Sequence, residues 1–128
     1  MKFLLDTQLL VWTAVEPEKL SVAAWELMDD PENDLYFSVV SLWEVAIKRR
    51  LKRSDFRADP RLLRRELLDN GYSELGITSE HALAIDGLPP IHKYPFDRML
   101  VAQALVEGVT LLTADGVLAK YPCPVRRV

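Results

Sequence analysis

The chain has 128 residues, 49% hydrophobic and 27% charged, a balance that excludes a disordered or fibrous protein. Its length falls in the usual range of roughly 100–150 residues for one domain with a sizeable core. A net charge of −3 marks neither a polyanion binder nor a membrane-surface protein, and a single cysteine, Cys123, excludes an internal disulfide and argues against a cysteine zinc site.

Lys2 to Asp6 reads as a short buried strand, and its apolar run stops short of the ~7–15 residues of a signal peptide. Asp6 and Thr7 open a helix with Leu9, Leu10, Val11 and Trp12. Ser21 starts a second helix, which Pro31 and the polar turn after it end. Leu35 to Val40 is a second buried strand. Ser41-Leu42-Trp43-Glu44 has the form of a capping box and predicts a helix to about Leu51. Glu44 also interrupts the longest apolar stretch, so no membrane span of ~18 residues is expected and the chain reads as cytoplasmic.

Asp59-Pro60 marks the next helix start, and Asn70-Gly71 its end. Tyr72 to Ile77 is a weak strand, Ser79 to Ile85 a short helix, and Leu88 to Pro95 a proline-broken loop. Phe96 to Glu107 is helical with Gly108 just past its end. Val109 to Thr113 is the most hydrophobic late strand. A short helix over Asp115 to Tyr121 and an edge strand at Val125 to Val128 close the chain. Alternating strands and helices predict one α/β domain over 1–128, a parallel sheet flanked by helices on both faces. Trp12, Trp25 and Trp43 fall at helical apolar positions expected to pack in the core.

Charge is uneven along the chain. Nine basic residues and two acids lie between Lys48 and Arg65, a net +7, against −10 for all remaining positions. Such an arm suits a phosphate backbone, an acidic protein partner or merely a solvated face.

Four carboxylates fall at comparable places. Asp6 ends the first strand, Glu44 sits early in the helix after the second, Asp97 lies in the first turn of the helix after the proline loop, and Asp115 follows the late strand. Residues just past the strand ends of an open parallel sheet line one crevice, where ligands bind. Each acid also has a local use: Asp6 and Asp115 as helix caps, Glu44 in the capping box or paired with Lys48, Asp97 on a helix dipole. Together in one cleft they would repel, and a hard divalent cation relieves that repulsion. With no histidine or cysteine ligand expected nearby, Mg²⁺ or Mn²⁺ fits better than Zn²⁺, and such ions suit phosphoryl chemistry. No glycine-rich phosphate loop is present, His81 reads as a packing or surface residue, His92 as a loop residue, and Cys123 as inert.

These segments resemble the PIN-domain ribonucleases, more specifically the VapC-type toxins of type II toxin–antitoxin systems. Phe3-Leu4-Leu5-Asp6-Thr7, Ser41-Leu42-Trp43-Glu44-Val45-Ala46-Ile47-Lys48, Pro95-Phe96-Asp97-Arg98 with Ala102-Gln103-Ala104, and Leu111-Leu112-Thr113-Ala114-Asp115 carry the likeness. The resemblance implies a five-stranded parallel sheet and an acidic quartet at Asp6, Glu44, Asp97 and Asp115 that binds Mg²⁺ or Mn²⁺. It also implies endonucleolytic RNA cleavage, inhibition by a small antitoxin, and a homodimer. Thr7 and Thr113 stand beside the acids and are expected to orient ligands or water. Lys48, Arg49, Arg50 and Arg53 are candidates for gripping RNA or antitoxin, and Arg98 for a substrate phosphate or a neighbouring acid. Two positions depart from the family pattern: Tyr94 stands where many relatives carry a further aspartate, and Gln8 where many carry histidine. The alternatives are a non-catalytic RNA- or protein-binding module and a receiver-like phospho-acceptor domain, although Asp6 lacks the acidic neighbour of the latter.

Overall fold

A computed structural model describes residues 1–52 and 58–128. Five parallel strands form one sheet: β1 (Lys2–Leu5), β2 (Asp34–Ser38), β3 (Ser73–Leu75), β4 (Thr110–Thr113) and β5 (Val125–Arg127), in the order β3-β2-β1-β4-β5. Among the described residues six α-helices connect them: α1 (Thr7–Val15), α2 (Val22–Asp29), α3 (Val39–Arg50), α4 (Pro60–Asp69), α5 (Ser79–Ala84) and α6 (Pro95–Glu107). The earliest strand lies at the centre of the sheet. A receiver-like doubly wound sheet has the order 2-1-3-4-5, so the strand order sets that alternative aside.

The alternation of side chains along the strands splits the core in two. Phe3, Leu5 and Leu112 point to one face, where they pack with Leu9, Leu10, Phe37, Leu63 and Leu67. Leu4 and Leu111 point to the other and meet Val40, Leu100, Val101 and Ala104. Registers of Phe3 with Leu35 and Leu4 with Leu111 bring β1 level with its neighbours, so their C-terminal ends share one edge. β1 is buried from Phe3 onward, as a central parallel strand requires.

Three helix starts carry the caps that the sequence predicts. Asp6 Oδ1 accepts from the Leu9 amide, Ser21 from Ala24 and Asp59 from Arg61. Gly108, at φ 68°, ends α6 in the left-handed region.

Four expectations need correcting. Helix α3 starts at Val39, inside the segment expected to be strand, because the Ser38 hydroxyl accepts from the Val40 amide while donating to Gln103 Oε1 at 2.6 Å. Tertiary contact here overrides the β preference of two valines. Ser41-Glu44 is therefore no capping box; both residues are buried inside the helix. The expected helix after Asp115 shrinks to a single 3₁₀ turn, Leu118–Lys120. Of the tryptophans, Trp12 packs against the core, but Trp25 and Trp43 are exposed, Trp43 resting edge-on against Phe96 with centroids 4.9 Å apart. Among the described residues no helix is long and apolar enough to cross a membrane.

Candidate metal centre

Each acid reaches the shared edge of the sheet by its own route. Asp6 is the residue after β1, held there as the cap of α1. Glu44 is carried in by α3, whose early start turns it and Ser41 inward. Asp97 lies in the first turn of α6, which begins at Pro95. Asp115 follows β4 by two residues, its amide donating to Thr113 Oγ1 at 2.9 Å and its Oδ1 accepting from the Val117 amide at 2.8 Å. All four line one cleft of about 300 Å³, together with Thr7, Gln8, Lys48 and Tyr94.

Donors fix the carboxylates one by one. Asp6 is 4% exposed; its Oδ2 accepts from the Thr113 hydroxyl and its Oδ1 from the Leu9 amide. Glu44 Oε2 accepts from Lys48 Nζ at 2.7 Å and from the Tyr94 hydroxyl at 3.1 Å, while the ammonium also lies 4.6 Å from the centre of the Tyr94 ring. Thr7 stands behind the acids, donating to Ser41 Oγ at 2.8 Å. It therefore braces α1 against α3.

Burial makes these charges costly. Desolvation pushes the Asp6 carboxyl up to about 7 against the opposing pull of Thr113 and Leu9, and the charges of Asp97 and Glu44 add to the rise. Asp97 is also pushed up to about 7, by desolvation first, then by Glu44 and Asp115, with Lys48 opposing. Desolvation works downward on Lys48, but its bonds to Glu44 and Tyr94 outweigh it and hold the ammonium above its ordinary range. One oxygen stands out. Glu44 Oε1 is buried and, among the described residues, is the buried side-chain oxygen or nitrogen with no hydrogen-bond partner. Such an orphan is normally eliminated unless another group satisfies it. Four carboxylates in one cleft, one of them with an orphaned oxygen, countered among the described lining residues by the Lys48 ammonium, form a donor set that fits a hard divalent cation.

The basic candidates divide. Lys48 belongs to the cleft. Arg49 and Arg50 are exposed at the end of α3, Arg49 pairing with Asp59 at 3.4 Å. Arg53 lies outside the described residues. Among the described residues Arg98 pairs with no acid. Its guanidinium donates to the carbonyls of Pro89, His92 and Ile85 and to the Tyr121 hydroxyl, at 3.1–3.3 Å, and so clamps the proline loop.

His92 is the site residue that sequence reasoning missed, and the expectation of a cluster without histidine is corrected by it. Its Nε2 lies 3.2 Å from Asp97 Oδ2 and 3.9 Å from Asp115 Oδ2. The spacing His92-x-Tyr94-Pro95-Phe96-Asp97 is the signal, since a loop that ends on a proline-started helix returns its preceding residues to the helix N-terminus. His81 is buried and packs structurally: its Nδ1 accepts from the Thr78 amide and its Nε2 meets Glu107 at 2.8 Å.

The PIN domain family model matches residues 3–122. The chain belongs to the PIN-domain family. Ribonuclease VapC22 of Mycobacterium tuberculosis is 30% identical to this PIN domain over 125 residues, 95% of either chain. Among solved structures, VapBC2 of Rickettsia felis, bound to a DNA fragment from its promoter, is similar with a TM-score of 0.74 at 14% identity. DNA-bound VapBC of Salmonella typhimurium is similar with a TM-score of 0.70 at 15% identity. Both similarities cover 99% of this chain and 98% of the other, and at these identities they speak to the fold.

Proposed function

We propose that this PIN domain is an endoribonuclease dependent on Mg²⁺ or Mn²⁺ and the toxin of a toxin–antitoxin pair, restrained by a small antitoxin and working as a homodimer. The ribonuclease name of the 30% identical relative and the VapBC assemblies that share the fold support the class. The observation that carries the chemistry is the buried, unpartnered Glu44 Oε1 beside two carboxyls raised to about 7. Asp6, Glu44, Asp97 and Asp115 would hold the ion. Bound there, it would supply the positive charge that activates water and steadies the oxygen leaving phosphorus.

The chain's own residues do the rest. Thr113 and the Leu9 amide hold Asp6 to one rotamer, so no reorganisation is needed on ligand arrival. Lys48 and Tyr94 tie down one oxygen of Glu44 and leave the other buried without a partner. The cleft lies open at the sheet edge, and Arg49 and Arg50, exposed at the end of the helix that carries Glu44, offer positive charge to an RNA backbone or an acidic antitoxin.

The test is Asp6→Asn, which keeps the cap and the shape while removing the charge. We expect Mn²⁺-dependent cleavage of RNA by the wild type and none by the variant, with circular dichroism unchanged. Full activity in a clean D6N preparation would refute the assignment. Tight RNA binding without cleavage by the wild type, even at large enzyme excess, would favour a non-catalytic RNA-binding module instead.

A further inference from the structure

His92, Asp97 and Asp115 can each offer one ligand atom within 4.8 Å of the other two, close enough for the three side chains to share one ion. One ring nitrogen argues against that arrangement. Nδ1 accepts a hydrogen bond from the Tyr94 amide at 3.0 Å, and a ring nitrogen that accepts carries no proton. A neutral His92 therefore bears its proton on Nε2, the nitrogen that faces the acids. Coordination through Nε2 would move the proton to Nδ1, where it would meet the Tyr94 N–H head-on.

The ring's own contacts oppose a turn, Nδ1 taking the Tyr94 amide and Nε2 lying 3.2 Å from Asp97 Oδ2, while backbone bonds hold the loop that carries it. The His92 amide donates to the Tyr121 hydroxyl at 2.9 Å, and its carbonyl accepts from Arg98 Nη1 at 3.2 Å. Arg98 is anchored in turn to Pro89 and Ile85. The imidazole is thus fixed as a donor onto Asp97. The other acids are held in the same manner: Asp6 by Thr113, Glu44 by Lys48 and Tyr94, Asp115 by the Val117 amide.

We propose that His92 is a positioning residue: it donates its Nε2–H to Asp97, orients that carboxylate, and withholds its own nitrogen from the metal, so that the centre stays all-oxygen. An all-oxygen centre favours Mg²⁺ or Mn²⁺ over Zn²⁺ or Ni²⁺, which imidazole would recruit. The inference rests on the divalent-ion reading of the cleft.

Two measurements test it. Long-range ¹H–¹⁵N correlation spectra of the metal-free wild type report the tautomer directly, and the Nε2–H form is expected; the Nδ1–H form overturns the proposal. Calorimetric titration with Mn²⁺ and with Zn²⁺ then compares the wild type with His92→Ala and His92→Gln. Loss of an outer donor weakens metal binding about tenfold or more, so H92A should bind both ions about tenfold less tightly with their ratio unchanged, and H92Q, which keeps an N–H donor, should recover most of the loss. A loss at least tenfold greater for Zn²⁺ than for Mn²⁺ would make His92 a ligand and overturn the proposal, as would no loss for either ion. A wild type that binds neither ion defeats the divalent-ion reading itself, while the spectrum of the same sample still decides what His92 does. If H92A fails to fold, the wild-type spectrum decides alone.

Discussion

At the scale of single residues, the site is a set of carboxylates whose surroundings push two of them toward the neutral form. Asp6 and Asp97 have folded-state pKa values of about 7 against an ordinary 3.8. A raised acid binds more protons folded than unfolded, so the sign is set: stability is greatest below the unfolded value and is lost as pH rises through the folded one. The metal-free protein should therefore be more stable at pH 5 than at pH 8. A tenfold change in proton affinity is worth about 1.4 kcal/mol, and the two acids are coupled, so a few kcal/mol and a Tm drop of roughly 5–15 °C are expected in chelator. Added Mn²⁺ should restore most of it at pH 8; a Tm that climbs from pH 5 to pH 8 in chelator contradicts the burial argument. Thr113 gives a sharper probe. Its hydroxyl both donates to Asp6 and accepts from the Asp115 amide. Thr113→Val keeps the volume and orphans both partners, a cost of about 1–3 kcal/mol in urea unfolding. It should also weaken Mn²⁺ binding about tenfold, since an outer partner that orients a ligating carboxylate is lost.

At the scale of elements, what could be read from the sequence depends on whether the deciding contact is local. Asp6, Asp59 and Ser21 announce their helices because a cap bonds within three residues of itself, and Pro60 and Gly108 punctuate for equally local reasons. The four acids were visible on the same basis, as residues next to strand ends and helix starts. The start of α3 was not. It depends on Ser38 reaching Gln103, 65 residues away, and that bond moves Glu44 from a helix mouth into a buried second turn. His92 was half visible: its spacing from Asp97 is local, but its place beside Asp115 depends on Arg98 and Tyr121 closing the proline loop. Arg98 is then a structural clamp with a measurable role. Arg98→Met removes donors to three carbonyls and a hydroxyl, and leaving several partly buried acceptors unpaired costs about 2–4 kcal/mol by thermal unfolding. If R98M were as stable as the wild type yet lost RNA affinity, the guanidinium would belong to the substrate after all.

At the scale of the molecule, the strand order collects the chemistry. Putting β1 in the centre, between β2 and β4, brings Asp6 beside both Asp115 and the helix that follows β2, so residues 109 positions apart in the chain line one cleft. The charge distribution is laid over this frame. The cleft is acidic, whereas the end of α3 and the exposed face of α4 are basic, with Arg61, Arg64 and Arg65 on one groove. A polyanion would be repelled by the cleft and attracted by these basic surfaces, and the divalent ion proposed for the cleft would offset the repulsion. Part of this basic surface is already engaged: Arg49 pairs with Asp59 and Arg64 with Glu74, at exposed positions where such pairs are worth little and yield readily to a phosphate. Reversing Arg49 and Arg50 to glutamate should leave the fold and Mn²⁺ binding intact, because neither side chain touches the acids. Removing two phosphate contacts should lower the slope of log affinity against log salt by about 1.4–1.8, depending on whether the RNA is single- or double-stranded. Filter binding of RNA to the cleavage-deficient D6N protein, with and without the reversals across a salt series, measures that slope. An unchanged slope would place the RNA elsewhere on the surface and leave these basic residues to a protein partner.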